Sequence, residues 1–204
     1  YVQAMVDGVI PPESQQKYLD IILFETDRLT KLTSNLLDVN NFDKDNIFLD
    51  ISRFNLHDSI RKTAGALEGV AAKKDIHFDL ELSDTEPLWV SGDKDKIQQV
   101  LHNLMDNAVK FSHEGSSILI STREKGNRVF VSVKDSGIGI PKDDLGKIFE
   151  RFYKTDLSRG KDKLGTGLGL SICKEIITAH KQNLDVVSTE GVGSEFVFTL
   201  TKET

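Results

Sequence analysis

Asn103, Asn107 and Lys110 stand at i, i+4 and i+7 in the stretch DKDKIQQVLHNLMDNAVKFS, residues 93–112. That spacing sets two amides and an ammonium in one stripe on a helix. Asparagine is a mediocre helix former, so two of them on one stripe call for a reason. Taken alone, the stripe also fits a solvated polar edge.

Three later segments add chemistry. Asp135-Ser-Gly-Ile-Gly139 follows a predicted strand. Its glycines allow positive φ and close approach to a ligand, and the Asp135 carboxylate could accept a hydrogen bond from an exocyclic amine such as adenine's. By itself the motif equally describes a strand-ending turn. Ile148-Phe-Glu-Arg-Phe-Tyr-Lys154 carries an aromatic pair at i, i+3, Phe149 and Phe152, which reads as core anchoring. Lys154 then stands as a cation before a polar stretch, where it could reach a phosphate or simply be solvated at a helix end. Gly165-Thr-Gly-Leu-Gly-Leu170 opens a helix. Successive backbone N–H groups at a helix N-terminus make a phosphate cradle. No GxxxxGK[ST] occurs, and GTGLGL lacks GxGxxG spacing, so neither a P-loop nor a dinucleotide fingerprint applies.

The elements that must position these residues follow from periodicity. Residues 93–112 form an amphipathic helix with Asp93 as N-cap and Ile97, Val100, Leu101, Leu104, Met105, Ala108 and Phe111 on one apolar arc. A long helix is expected over 13–40. There Tyr18, Ile22, Glu25, Leu29, Leu32, Leu36 and Val39 alternate by four and three, a bundle seam widened by Ile21, Phe24 and Leu37. Tyr1–Ile10 reads as the end of a preceding helix, and the pair forms a hairpin expected to dimerise. Residues 41–46 are a polar hinge, giving domains 1–42 and 43–204. In the second, strands are expected at 47–53, 76–82, 88–90, 117–124, 128–134, 184–188 and 195–201. Gly126-Asn127 is a hairpin turn between two of them. Helices are expected at 55–74, 141–151 and 167–180 besides the one at 93–112. The fold class is α+β, helices on one face of a mixed sheet.

Composition bounds the function. A net charge of −6 with dispersed Lys and Arg argues against nucleic acid. The lone Cys173 lies in an apolar helical pattern and excludes a disulfide framework, which fits a reducing compartment. No apolar run reaches the roughly 18 residues of a membrane span, and no signal peptide is present. A first residue other than Met, inside a helical pattern, suggests a piece of something longer.

Taken together, Asn103-Leu-Met-Asp-Asn107-Ala-Val-Lys110-Phe111-Ser, the Asp135–Gly139 loop, the 148–154 segment and the Gly165–Leu170 loop resemble, in order and spacing, the four nucleotide-binding boxes of bacterial sensor histidine kinases. The likeness spans essentially the whole chain. It implies a partial dimerisation and phosphotransfer hairpin over 1–42. Residues 43–204 would be a catalytic ATP-binding domain, a two-layer sandwich of a mixed sheet and three helices of the histidine-kinase, gyrase and chaperone type. It further implies that Asn107 holds Mg²⁺ with Asn103 alongside, Lys110 meets phosphate and Phe111 lies against the adenine. Asp135 takes the amino group of ATP or ADP, with Gly137 and Gly139 shaping the pocket. Gly165, Thr166, Gly167, Leu168 and Gly169 hold the phosphates, and 155–163 form a lid. Lys154 stands where many members carry Arg, and a point charge loses bidentate phosphate contact. The residues 181–183 replace a common glycine pair. The phosphoacceptor histidine of the family is expected before Tyr1. Ser112-His113-Glu114 mimics its motif by coincidence, and His57, His77, His102 and His180 read as surface or packing residues.

The function so implied is transfer of the γ-phosphoryl of Mg-ATP to a histidine, then to a response-regulator receiver domain. The protein would be a homodimer through the hairpin, cytoplasmic, with any inner-membrane anchor in segments outside this chain. Two alternatives are a gyrase-like ATP hydrolase and a nucleotide-binding or dimerisation module without kinase activity. Hydrolysis needs a carboxylate base where Asn103 stands, and an amide cannot take that proton.

Overall fold

The computed structural model describes residues 1–9, 11–12, 14–23, 26, 48–155 and 165–203. Two compact units emerge, Tyr1–Asp43 and Lys44–Thr204. In the first, α1 (Val2–Val6) is followed by helical residues 14–23, and the rings of Tyr1 and Tyr18 lie 5.0 Å apart. Tyr18, Ile21 and Ile22 belong to that helical stretch. The other seam positions proposed from sequence (Glu25, Leu29, Leu32, Leu36 and Val39, with Phe24 and Leu37) fall outside the described residues, as does the hinge at 41–46.

The second unit runs β1 (Ile51–Asn55), α2 (Leu56–Ala72), β2 (His77–Glu81), β3 (Trp89–Asp93), α3 (Lys94–Phe111), β4 (Ser117–Lys125), β5 (Arg128–Lys134), α4 (Gly169–Ala179), β6 (Leu184–Thr189) and β7 (Gly193–Lys202). The sheet order is β1-β3-β7-β5-β4-β2, with β6 also paired to β7. Among the described strand pairs β2 with β4 is parallel and the others are antiparallel, so the sheet is mixed. Strand alternation sends Ile118, Ile120, Val129, Val131, Val133, Phe196, Phe198 and Leu200 into the core. There they meet Leu56, Ile60 and Leu67 of α2, Ile97, Val100, Leu101, Leu104, Met105 and Ala108 of the α3 arc, and Ile172, Cys173, Ile176 and Ile177 of α4, while Phe111 at the end of that arc is only half-buried. Helix α3 packs between α2 and α4, and the result is the two-layer α+β sandwich expected from the sequence.

Local chemistry explains the boundaries. Asn55 caps α2 by accepting from His57 N at 3.2 Å, and Asp58 sits in its first turn. Asp93 caps α3 more fully: Oδ1 accepts from Asp95 N and Lys96 N at 3.1 Å each, and Oδ2 from Asp50 N at 3.0 Å. The ammonium of Lys74 bonds the carbonyls of Val109 and Lys110 at 2.8 Å, a cation on the last carbonyls of α3. The β4–β5 turn is made by Gly126 at φ 63°.

One expected element fails. Residues 141–151 are a chain of turns, not a helix. Asp144 N bonds Pro141 O, Lys147 N bonds Asp144 O, and Glu150 N bonds Lys147 O, all three residues apart. Gly146 weakens helical continuation at the centre of the segment, and the Asp144 carboxylate is committed to the Tyr153 hydroxyl at 2.7 Å. The aromatic pair also departs from expectation. Ile148 is the buried residue there, at 6% exposure, whereas Phe152 is 60% exposed and Phe149 only half-buried. Without a helix, the i, i+3 spacing no longer brings the two rings onto one face.

Candidate functional site

Asn103, Asn107 and Lys110 lie half-buried along α3, as one stripe beside the apolar arc. Lys110 reaches back one turn to Asp106, with Nζ 2.7 Å from Oδ2. Asp106 was not singled out from the sequence, although an acid four residues before a lysine on a helix is a readable pairing signal. Asn103 joins two elements: its Nδ2 donates to the carbonyl of Gly169, the first residue of α4, at 3.4 Å. This bond brings the amide stripe against the glycine loop.

A second seam joins the C-terminal end of α3 to the loop after β5. Ser112 and Gly137 form an isolated antiparallel bridge, Ile138 N bonds Phe111 O at 3.2 Å, and His113 N bonds Ser136 O at 3.3 Å. A Cβ on Gly137 would come within 2.2 Å of the Phe111 carbonyl oxygen. Here the sequence expectation needs correction. Gly137 is not in the positive-φ region, and its missing side chain admits the backbone of α3's last residue. Gly139 does adopt φ 65°, but a Cβ there would meet the Thr189 carbonyl oxygen at 2.0 Å. Both glycines serve protein-on-protein packing at the rim of the site.

Asp135 directly follows β5 and is 7% exposed. Its Oδ1 accepts from Gly137 N at 3.0 Å and from Ser194 N at 3.3 Å. Burial pushes its carboxyl up to about 6, against those two backbone hydrogen bonds and the nearby His113, which pull it down. Both of these bonds fall on Oδ1, and the second oxygen of a carboxylate is itself a hydrogen-bond acceptor. Ser194 and Ser188, on strands far along the chain, support this corner and left no local sequence signal.

A third seam links the remaining segments. Phe152, at φ 64°, donates its N–H to Gly167 O at 2.9 Å, and Gly167 turns at φ 72°. Any Cβ on Gly167 would lie 2.7 Å from the Phe152 carbonyl carbon. Thr166 Oγ1 accepts from Leu168 N at 3.3 Å. Leu168 is fully buried as N-cap of α4 and offers no side-chain cap. The first-turn N–H groups of that helix thus keep their capacity for an external acceptor. Among the described residues, the atom nearest to a Cβ on Gly169 belongs to the Asn103 side chain, at 3.9 Å. Lys154, Thr155, Gly165 and Thr166 are half-buried at the two ends of this seam. The lid proposed over 155–163 lies, apart from Thr155, outside the described residues.

The arrangement therefore offers a buried carboxylate at one end, an amide and ammonium stripe in the middle, and uncapped amide donors at the other. Among the described residues no group of three or more His, Cys, Asp and Glu could hold a metal ion by itself. A hard cation that takes few protein oxygens and completes its shell from phosphate and water suits such a donor set. The histidines have structural partners or none of note. His57 is wholly buried between Glu86 (3.1 Å) and Thr122 (3.0 Å), while His180 accepts from Asp93 N at 2.9 Å. His77, His102 and His113 are exposed. Cys173 is buried in α4, and that burial pushes its thiol up to about 12.

The family described as histidine kinase-, DNA gyrase B- and HSP90-like ATPase matches residues 92–204. The sensor histidine kinase WalK of Bacillus subtilis is 37% identical over 205 residues, covering 98% of this chain and 33% of its own length. The catalytic domain of histidine kinase ThkA superposes with a TM-score of 0.66 at 36% identity, over 75% of this chain and 96% of that one. ThkA in complex with the response regulator TrrA gives 0.77 at 32% identity, over 99% and 55%. Full-length ShkA in complex with AMPPNP gives 0.81 at 27% identity, over 94% and 40%. The chain spans about a third of the length of the curated relatives it matches.

Proposed function

The chain belongs to the histidine kinase-, DNA gyrase B- and HSP90-like ATPase family and carries the ATP-binding catalytic core of a bacterial sensor histidine kinase; on that premise we propose that it binds Mg-ATP and passes the γ-phosphoryl group to a histidine for relay to a response-regulator aspartate. The observation that carries this reading is the set of three seams: Asn103 to Gly169, Phe111 to Gly137 and Ile138, and Phe152 to Gly167. They bring four segments, as much as 66 residues apart in the chain, into contact with one another.

Each residue then has a task. Asp135 accepts the adenine amino group, and Phe111 lies against the base. Asn107, with Asn103 beside it, would hold Mg²⁺, which when bound would supply neutralising charge at the triphosphate. Lys110, exchanging Asp106 for phosphate, adds a positive charge, and Lys154 adds a second at the other end. Gly165, Thr166, Gly167, Leu168 and Gly169 supply backbone donors to the phosphates. Catalysis by such a site is positioning and charge neutralisation, because phosphoryl transfer asks for little covalent help from the protein. ATP hydrolysis is the weaker reading. At position 103 stands an amide that cannot act as general base, and its Nδ2 is already bonded to Gly169 O.

The complex of ThkA with TrrA supports a receiver domain as partner, and ShkA with AMPPNP supports an adenine nucleotide as ligand. A homodimer through the helical hairpin, and a cytoplasmic site of action, complete the proposal. Among the described residues no helix is long and apolar enough to cross a membrane. Calorimetry with ATP and ADP, with and without Mg²⁺, is the test. Binding should weaken at least tenfold without the metal, and Asn107→Ala should erase that metal dependence while the chain still melts cooperatively. No heat with either nucleotide would overturn the proposal, and an unchanged Mg²⁺ dependence in the variant would remove Asn107 from it.

A further inference from the structure

The turn between β6 and β7 presses on both ends of the Asp135–Gly139 loop. A Cβ on Gly193, at φ 141°, would lie 2.1 Å from the Asp135 carbonyl oxygen, and one on Gly139 would lie 2.0 Å from the Thr189 carbonyl oxygen. Gly191 N also bonds Ile138 O at 2.7 Å. One side chain ties these contacts together. Ser188 Oγ donates to Gly193 O at 2.8 Å, accepts from Ile140 N at 2.9 Å, and sits 2.9 Å from Ser194 Oγ. Its single proton is committed to the Gly193 carbonyl, so Ser194 is the donor in the third bond. A serine hydroxyl has one donor and two acceptor sites, and all three are used.

Those bonds bear directly on Asp135. Ser194 N holds its Oδ1 at 3.3 Å, and Asp135 N bonds back to Ser194 O at 2.8 Å. Gly193 precedes Ser194, and Ile140 ends the loop that carries Gly137, the other donor to Oδ1. Ser188 thus pins the two strands of backbone whose N–H groups aim the carboxylate.

We propose that Ser188 is a positioning residue for base selection: its hydroxyl, bonded to Gly193, Ser194 and Ile140, fixes the direction in which Asp135 offers its second oxygen to the amino group of adenine. The inference rests on the nucleotide reading above and deepens it. Without the hydroxyl, the Gly193 carbonyl and the Ile140 N–H lose a partner and the turn loosens. Asp135 stays ionised and buried but no longer holds one orientation. A directional hydrogen bond to an amine then weakens, while contacts to phosphate and metal at the far end are untouched.

The experiment compares ATP with inosine triphosphate, which lacks the amino group, by calorimetry in the presence of Mg²⁺ on the wild-type chain, Ser188→Ala and Ser188→Thr. The wild type should prefer ATP by tenfold or more. Ser188→Ala should lose most of that preference through weaker ATP binding, with inosine triphosphate affinity within twofold of wild type, and Ser188→Thr should restore the ratio. A merely structural role would lower both affinities together. An Ala variant that keeps the wild-type ratio overturns the role of Ser188 and leaves the nucleotide site standing. A wild type that binds both nucleotides equally strikes Asp135 as the base reader, and one that binds neither strikes the site itself; either result ends the inference. Should Ser188→Ala fail to fold, Ser188→Cys, isosteric and weaker in hydrogen bonding, must show the same selective loss, and an unchanged ratio there overturns the proposal equally.

Discussion

Replacing Asp135 by Asn separates what the carboxylate costs the fold from what it gives the ligand. Asp135 titrates at about 6 instead of the ordinary 3.8, chiefly because it is buried. At 1.36 kcal/mol per pH unit, keeping it ionised costs the folded chain about 3 kcal/mol. The folded-state value is the raised one, so this cost is absent below about pH 3.8, grows as pH rises, and is complete above about 6. Asn keeps an oxygen for Gly137 N and Ser194 N but carries no charge. Urea unfolding at a series of pH values should therefore show Asp135→Asn gaining on the wild type by up to about 3 kcal/mol between pH 4 and pH 8. Nucleotide binding should move the opposite way. The Asn amide would face the adenine amine donor to donor, so affinity for ATP at pH 8 should fall tenfold or more despite the firmer fold. Wild-type affinity should decline below about pH 6 by more than the variant's, which carries the phosphate titration common to both. A stability difference that does not vary with pH, together with unchanged ATP affinity, would refute both the burial argument and the assignment of the base.

Gly137→Ala must drive a methyl to within 2.2 Å of the Phe111 carbonyl oxygen, a backbone atom at the end of α3. Overpacking of that kind costs about 2–3 kcal/mol, read as a lower urea midpoint, and nucleotide affinity should fall with it; an unmoved midpoint would mean the loop has room the geometry denies. Glu86 is held down to about 2, first by Arg61 at 2.6 Å, then by His57 and Asn55. Its contribution to stability is present above about 4.5 and lost as pH falls toward 2. Glu86→Gln should flatten that acid limb in circular dichroism, and an unaltered acid transition would show the pairing to be idle.

What the sequence disclosed best was whatever depends on spacing within one element. The cap at Asp93, the apolar arc of α3, the amide stripe and the alternation of β4 and β5 are all set by helical or strand period, and the structure repeats them. The glycine loop at the start of α4 was legible because a helix N-terminus without a cap is a local property. Residues 141–151 misled because Pro at the front and an aromatic pair at i, i+3 imitate a helix, while the competing bond from the Tyr153 hydroxyl to Asp144 is invisible from spacing. Gly137 and Gly139 were read as making room for a ligand, whereas the neighbours they admit are backbone from α3 and from β6, brought in by tertiary contact. Ser188, Ser194 and Lys74 share the same obscurity, since each has a partner tens of residues away: Ile140, Asp135, and Val109 with Lys110.

The position of β7 carries a consequence for how the protein comes into being. It is the last strand in the chain, yet it pairs with β3, β5 and β6 at the middle of the sheet. During synthesis, β1 with β3 and β5 with β4 and β2 can assemble only as two unjoined halves, each with an open seam, until residues 193–202 emerge. The same residues deliver Ser194 to Asp135. Ribosome and cell thus receive a chain whose ability to grip a base and whose sheet closure arrive in a single late event, so that a half-made molecule has no finished pocket to occupy.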